Sequence, residues 1–152
     1  MISPEVLRRF ALFAGLEPAA YKDIAMLGEQ VAFKQGEWLF HEGEEARSLY
    51  LVISGKVELT INLDEKGERV FDMTTLVEGG MAGWSALLEP FVYSVGARAA
   101  TDTVLVQIDG AGLLDLMEAN LALGYQVMTH LAQAISSQLG DLRVQFVSMV
   151  DR

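Results

Sequence analysis

With 152 residues, 51% of them hydrophobic, the chain has enough apolar side chain to bury one good core and too little length for two ordinary domains. It has no cysteine, which excludes disulfide staples and thiolate metal clusters and fits a reducing compartment, with the cytoplasm expected. Eleven basic residues scattered among 21 acidic ones give a formal charge of −10, so this chain alone is not expected to bind nucleic acid, which draws on clustered Lys and Arg.

The single expected domain, 1–152, divides by the period of its hydrophobic pattern. Residues 1–30 form an N-terminal helical segment: Leu7, Phe10, Phe13, Leu16, Ile24 and Leu27 fall at helical spacings, with Ser3 as cap and Pro4 in the first turn. Arg8 and Arg9 ahead of the run FALFAGL imitate the start of a signal sequence, but Glu17 and Pro18 end that run too early. No stretch approaches the roughly 20 apolar residues that span a bilayer, and no membrane insertion is expected.

From 31 to 109 the period becomes two. Val57, Leu59, Ile61 and Leu63 alternate with Lys56, Glu58, Thr60 and Asn62, and Asp64 to Gly67 supply a hairpin turn. Further strands are expected at 38–40, 49–53, 70–73 and 104–108. Many short strands with glycine turns imply an antiparallel sandwich or barrel.

Residues 110–152 return to a helical period after Asp109, an expected N-cap. Met128, Leu131, Ile135, Leu139, Leu142, Phe146 and Met149 recur every three or four residues, near a heptad with one extra four-residue step. A helix of about thirty residues would be roughly 45 Å long, more than so small a domain can cover. The stripe is therefore expected to form a homodimer through a parallel coiled coil, the alternative being a stripe that packs only on its own barrel. Gly140 weakens the middle of this helix and marks a candidate bend.

The glycine-punctuated stretches that begin at Lys34 and Leu76 resemble a cyclic-nucleotide-binding domain of the catabolite activator/fumarate-nitrate regulator superfamily. Gly43 in GEWLFHEG and Gly55 in YLVISGKVEL match turn glycines of that family, and Gly83 matches the glycine that opens its phosphate-binding cassette. The resemblance runs from about Phe10 to the C-terminus. It implies a mainly β fold with flanking helices: a double-stranded β-helix, or jelly roll, followed by a long dimerisation helix. It also implies a non-enzymatic regulatory or sensor module.

The cassette departs from the family at the side chains that hold the ligand. The family reads roughly FGELALL and then RSA or RTA, where the glutamate takes a ribose hydroxyl and the arginine the cyclic phosphate; this chain reads AGWSALL and then YSV. Trp84 stands at the glutamate position, Tyr93 at the arginine position and Val95 at the small alanine, while Ser94 is kept. Arg98, further along the next strand, is expected to be structural. Losing a buried arginine–phosphate contact costs about 2 to 5 kcal/mol, a loss of roughly thirty- to several thousand-fold in affinity. No cofactor is expected, and cAMP or cGMP is not expected to bind tightly. Two readings of the site stay open. One is a remodelled pocket for another small ligand, built from Gly83, Trp84, Ser85, Ala86, Tyr93 and Ser94, with Gln138 reaching over from the long helix. The other is a pocket filled by its own aromatic rings, leaving a ligand-free dimerisation or docking scaffold that signals through a protein partner.

Catalytic and metal chemistry find little support. His41 and His130 are the only histidines and share no metal or triad spacing; the acidic Glu42, Glu44 and Glu45 read as a solvated loop. A haem would need His41, His130 or one of seven methionines as axial ligand, and methionines more often pack in cores. Regulators of this family carry a helix-turn-helix domain after the long helix. The chain is expected to be either a free-standing domain or the effector-binding piece of such a regulator.

Overall fold

The computed structural model describes residues 1–151. Two short helices, α1 (Pro4–Leu7) and α2 (Pro18–Ala25), lead into eight strands. These are β1 (Gly28–Phe33), β2 (Trp38–Phe40), β3 (Ser48–Ser54), β4 (Val57–Asn62), β5 (Val70–Leu76), β6 (Met81–Ala82), β7 (Gly96–Ala99) and β8 (Thr103–Asp109). Helices α3 (Gly110–Ala119) and α4 (Leu121–Val150) follow. The strands form two four-stranded antiparallel sheets, ordered β1-β8-β3-β6 and β2-β7-β4-β5, closing the jelly roll that the resemblance implies.

The two sheets carry different sequence patterns because they are buried differently. In β3 the side chains of Tyr50 and Val52 face the interior of the roll, while Leu49 and Leu51 face a second core made by α1, α2, α3 and the start of α4. A strand covered on both faces reads as a continuous apolar run, and β3 is SLYLVIS. In β4 Val57 and Leu59 are the apolar residues that enter the roll's core, which gives the alternation seen in sequence up to Leu59; Thr60, after a register irregularity, is buried as well.

Three strands escape that pattern. β1 opens at Gly28, three residues before the period-two signal at Val31, because Gly28, Glu29 and Gln30 pair with Ile108, Gln107 and Val106 through the backbone. β7 is GARA: Ala97 and Ala99 lie opposite Leu59 and Val57, where the crowded interior leaves room for a methyl group. β6 is only two residues long. Glycine is required at Gly55, where φ is +90° and a Cβ would fall 2.8 Å from Thr103 Cα.

Capping fixes the helical ends. The Asp109 carboxylate accepts from Gly112 N at 2.9 Å to start α3, and Asn120 Oδ1 accepts from Leu123 N at 3.1 Å to start α4. α4 runs unbroken through Gly140 as one helix from Leu121 to Val150, with no proline inside it. No helix among the described residues is long and apolar enough to cross a membrane.

One expected seam residue is a core residue. Leu131 is 2% exposed and lies with Leu123 and Val127 against the chain's own N-terminal helices and sheet, so it cannot meet a partner. Replacing it in the stripe by Ala132, and extending back to Tyr125, gives Tyr125, Met128, Ala132, Ile135, Leu139, Leu142, Phe146 and Met149. That set follows the three-four spacing without the extra step, so α4 carries two adjacent apolar faces, one used by its own domain.

Candidate functional site

The segment from Gly83 to Ser94 crosses the mouth of the roll between β6 and β7. Gly83 adopts φ +85°, and a Cβ there would lie 2.8 Å from the Ser48 carbonyl, so only glycine can turn the chain this close to β3. A 3-10 turn, Trp84–Leu87, follows, in which Ala86 N donates to Gly83 O at 3.0 Å. α3 seats against the turn through Gly110, where a Cβ would approach Ala86 O to 2.8 Å.

Tyr93 turns into the roll. Its hydroxyl donates to Ser48 O at 2.7 Å and accepts from Ser48 N at 3.3 Å, while its ring stacks on Phe40 with centroids 3.7 Å apart and planes 13° apart. Phe40 in turn stacks on Tyr50 at 5.8 Å, which meets Phe33 edge-on at 6.4 Å. Burial raises the pKa of Tyr93, and burial followed by the neighbouring Tyr93 pushes Tyr50 up to about 12, so both phenols stay neutral. The backbone of Tyr93 is also engaged: its N–H donates to Glu44 O and its carbonyl accepts from Gly43 N, each at 2.9 Å. The Tyr93 hydroxyl thus spends its donor and one acceptor position on the Ser48 backbone.

The other expected residues separate into two groups. Ser85 and Ser94 approach each other, Oγ to Oγ at 3.5 Å, with Ser94 exposed. Trp84 and Gln138 meet elsewhere, with Met73, Val95, Ile135, Leu139 and Leu142, around a cleft of about 150 Å³ between the roll and α4. Gln138 is half-buried, and its amide nitrogen donates to Met81 O at 3.3 Å. Sequence reasoning missed the cleft's apolar walls, although Gln138 shares a helix face with Ile135 and Leu142, three before and four after it.

Charged candidates are occupied by local partners. Arg98 Nη2 donates to Glu58 Oε2 at 2.9 Å and Asp72 Oδ1 at 3.0 Å beside Trp38, so its guanidinium is committed to two carboxylates. His41 stacks on Trp38 and bonds Glu44 at 2.8 Å, Glu42 accepts from Asn62 N at 2.8 Å, and Glu45 pairs with Arg47 at 2.9 Å. His130 Nδ1 donates to Leu12 O at 3.0 Å. Among the described residues no group of three or more His, Cys, Asp or Glu could hold a metal ion.

The two sheets close a jelly roll whose β6–β7 connection is a glycine-opened turn facing a long C-terminal helix. Residues 30–120 match the cyclic nucleotide-binding domain, and the chain belongs to that family. A crystal structure from Geobacter metallireducens GS-15, of a protein classed as cyclic nucleotide-binding, is 36% identical, with a TM-score of 0.81 over 91% of this chain and 99% of that one. The Thermus thermophilus catabolite activator protein is 27% identical, with a TM-score of 0.69 over 91% of this chain and 63% of its own. A CRP-like cAMP-activated global transcriptional regulator of Mycobacterium tuberculosis is 27% identical over 141 residues, 91% of this chain. The chain spans 62% of that regulator's length. The domain is thus related to those of transcription regulators, in a family of regulatory domains.

Proposed function

We propose that the chain is a non-enzymatic signalling module that dimerises through α4 and does not answer to cAMP or cGMP. One observation carries this reading: at the position where the family's arginine holds the cyclic phosphate, Tyr93 is bonded to the Ser48 backbone and stacked on Phe40. Trp84, at the ribose-binding position, offers no carboxylate, and Arg98 is committed to Glu58 and Asp72. The activation by cAMP of the mycobacterial relative is therefore not carried over. The exposed apolar stripe of α4 supports pairing of two copies, and the −10 charge supports signalling through protein contacts rather than nucleic acid contacts by this chain. The cytoplasm is the compartment that a cysteine-free signalling module of this kind suits.

Titration calorimetry tests the ligand claim. The unmodified chain should show no saturable binding of cAMP or cGMP tighter than about 100 μM, because a cyclic phosphate finds no cation to pair with. Submicromolar binding would overturn the reading. Trp84→Glu combined with Tyr93→Arg should restore measurable affinity, while either change alone leaves one polar group of the nucleotide unpaired and should not.

A further inference from the structure

A pocket of about 330 Å³ lies between the loop ahead of β3, the cassette and the first turns of α3, with no residue of α4 in its wall. That volume falls within the roughly 300–1,000 Å³ of ligand pockets. Its wall is mainly apolar: Ala46 and Ala86 are buried, Phe91 and Leu114 half-buried, and Ala111 exposed. Leu114 packs on the helical core, but the Phe91 ring belongs to neither of the two hydrophobic cores. Phe91 also has φ +57°, the one positive φ outside glycine among the described residues, and a bulky side chain takes that conformation only under constraint. Two backbone bonds impose it: Phe91 N donates to Leu88 O at 2.9 Å, and Phe91 O accepts from Ala46 N at 2.8 Å. The strained backbone thus holds an aromatic ring at the pocket, where the chain's own cores make no use of it. The rim is acidic. Its one cation, Arg47, is paired with Glu45 at 2.9 Å, and Asp109 caps α3. Glu89, two residues before Phe91, is exposed, as are Asp115 and Glu118, one helical turn on from Ala111 and Leu114. None of these three has an ion-pair partner among the described residues. An apolar pocket inside such a rim disfavours an anion and favours an apolar group flanked by cations.

We propose that this pocket docks a basic segment of another protein, with one bulky apolar side chain seated between Phe91 and Leu114 and flanking lysines or arginines facing Glu89, Asp115 and Glu118. The proposal rests on the reading of the chain as a module that signals through protein contacts, and it assigns the place and the chemistry of such a contact. It is independent of the α4 seam, which shares no residue with the pocket.

The capped pentapeptide Lys-Lys-Phe-Lys-Lys is a suitable probe, with Lys-Lys-Ser-Lys-Lys lacking the apolar anchor and Glu-Glu-Phe-Glu-Glu reversing the charge. In nuclear magnetic resonance titrations of the isotope-labelled full chain at about 20 mM salt, the first should shift Phe91, Ala111 and Leu114 saturably, with a Kd of about 100 μM. The serine peptide should bind about tenfold more weakly, having no side chain to bury, and the glutamate peptide should give no saturable shift. Ala111→Arg, at an exposed position, puts a bulky cation at the mouth and should abolish binding with the thermal melt unchanged. Leu139→Lys, on the outward face of α4, should leave peptide binding unchanged. The absence of saturable shifts at Phe91, Ala111 and Leu114 overturns the proposal. So does equal affinity for the phenylalanine and serine peptides, which is the result if the field of the whole chain attracts any polycation. Both comparisons use the unmodified chain. Tight cAMP binding or a monomeric chain would overturn the preceding reading alone, while the peptide preference still decides the pocket.

Discussion

Tyr93, at the position that the resemblance gives to a ligand-binding arginine, is an internal strut. An arginine there would bring a charge that must be paired on burial, whereas a phenol brings an apolar ring for Phe40 and a hydroxyl for Ser48. Tyr93→Phe keeps the stack and strands the Ser48 backbone groups, at a cost of about 1–3 kcal/mol. In a chain of this size that lowers Tm by roughly 3–9 °C in a thermal melt. The two buried phenols also predict an alkaline limit. Burial raises their folded-state pKa, so the folded protein holds these protons after the unfolded chain has released its own near about pH 10. The stability this contributes is complete below about pH 10 and is lost as the pH rises towards the folded value, about 12 for Tyr50. Tyrosinate absorbance should therefore show Tyr50 and Tyr93 ionising late and together with unfolding; early ionisation while the fold persists would contradict their burial.

At the scale of elements, α4 is a helix with two apolar faces whose lysine variants should behave oppositely. Leu131→Lys places a charge in the chain's own core and should cause loss of the cooperative melt. Leu139→Lys lies on the outward face, at 66% exposure, and should give monomers in sedimentation equilibrium with the far-ultraviolet dichroism intact. Monomers from the unmodified chain would remove the seam altogether. The two faces also explain what the sequence shows and hides. The helical period around Met128 to Met149 is plain, but Leu131 is as apolar as its neighbours, and only the position of the N-terminal helices assigns it inward. The strands with paired or alternating apolar residues are legible for the same reason, while β7 is silent because alanines fitted opposite Leu59 and Val57 carry little strand preference. In the cassette, Trp84 and Tyr93 are visible as departures from the family pattern. That one lines a cleft and the other turns into the roll depends on Ser48 and Phe40, more than forty residues away in sequence, and no local signal records that.

For the whole molecule, net charge and seam chemistry pull in opposite directions. Each copy carries −10, so two copies repel at distances within the Debye length, about 8 Å at physiological ionic strength. Coiled coils often offset such repulsion with opposite charges flanking the seam, but the flanking positions here are Thr129, Leu131, Ser136, Gln138, Arg143, Gln145 and Val150, with one charge among them. In the proposed dimer, association would come from burying Ile135, Leu139, Leu142, Phe146 and Met149, which salt does not screen. Raising salt from about 20 mM to about 500 mM should shield the repulsion and leave the attraction, tightening the dimer. Sedimentation equilibrium across that range should show a falling dissociation constant. A dimer that weakens with added salt would instead be held by ion pairs, which would place its interface away from the outward face of α4.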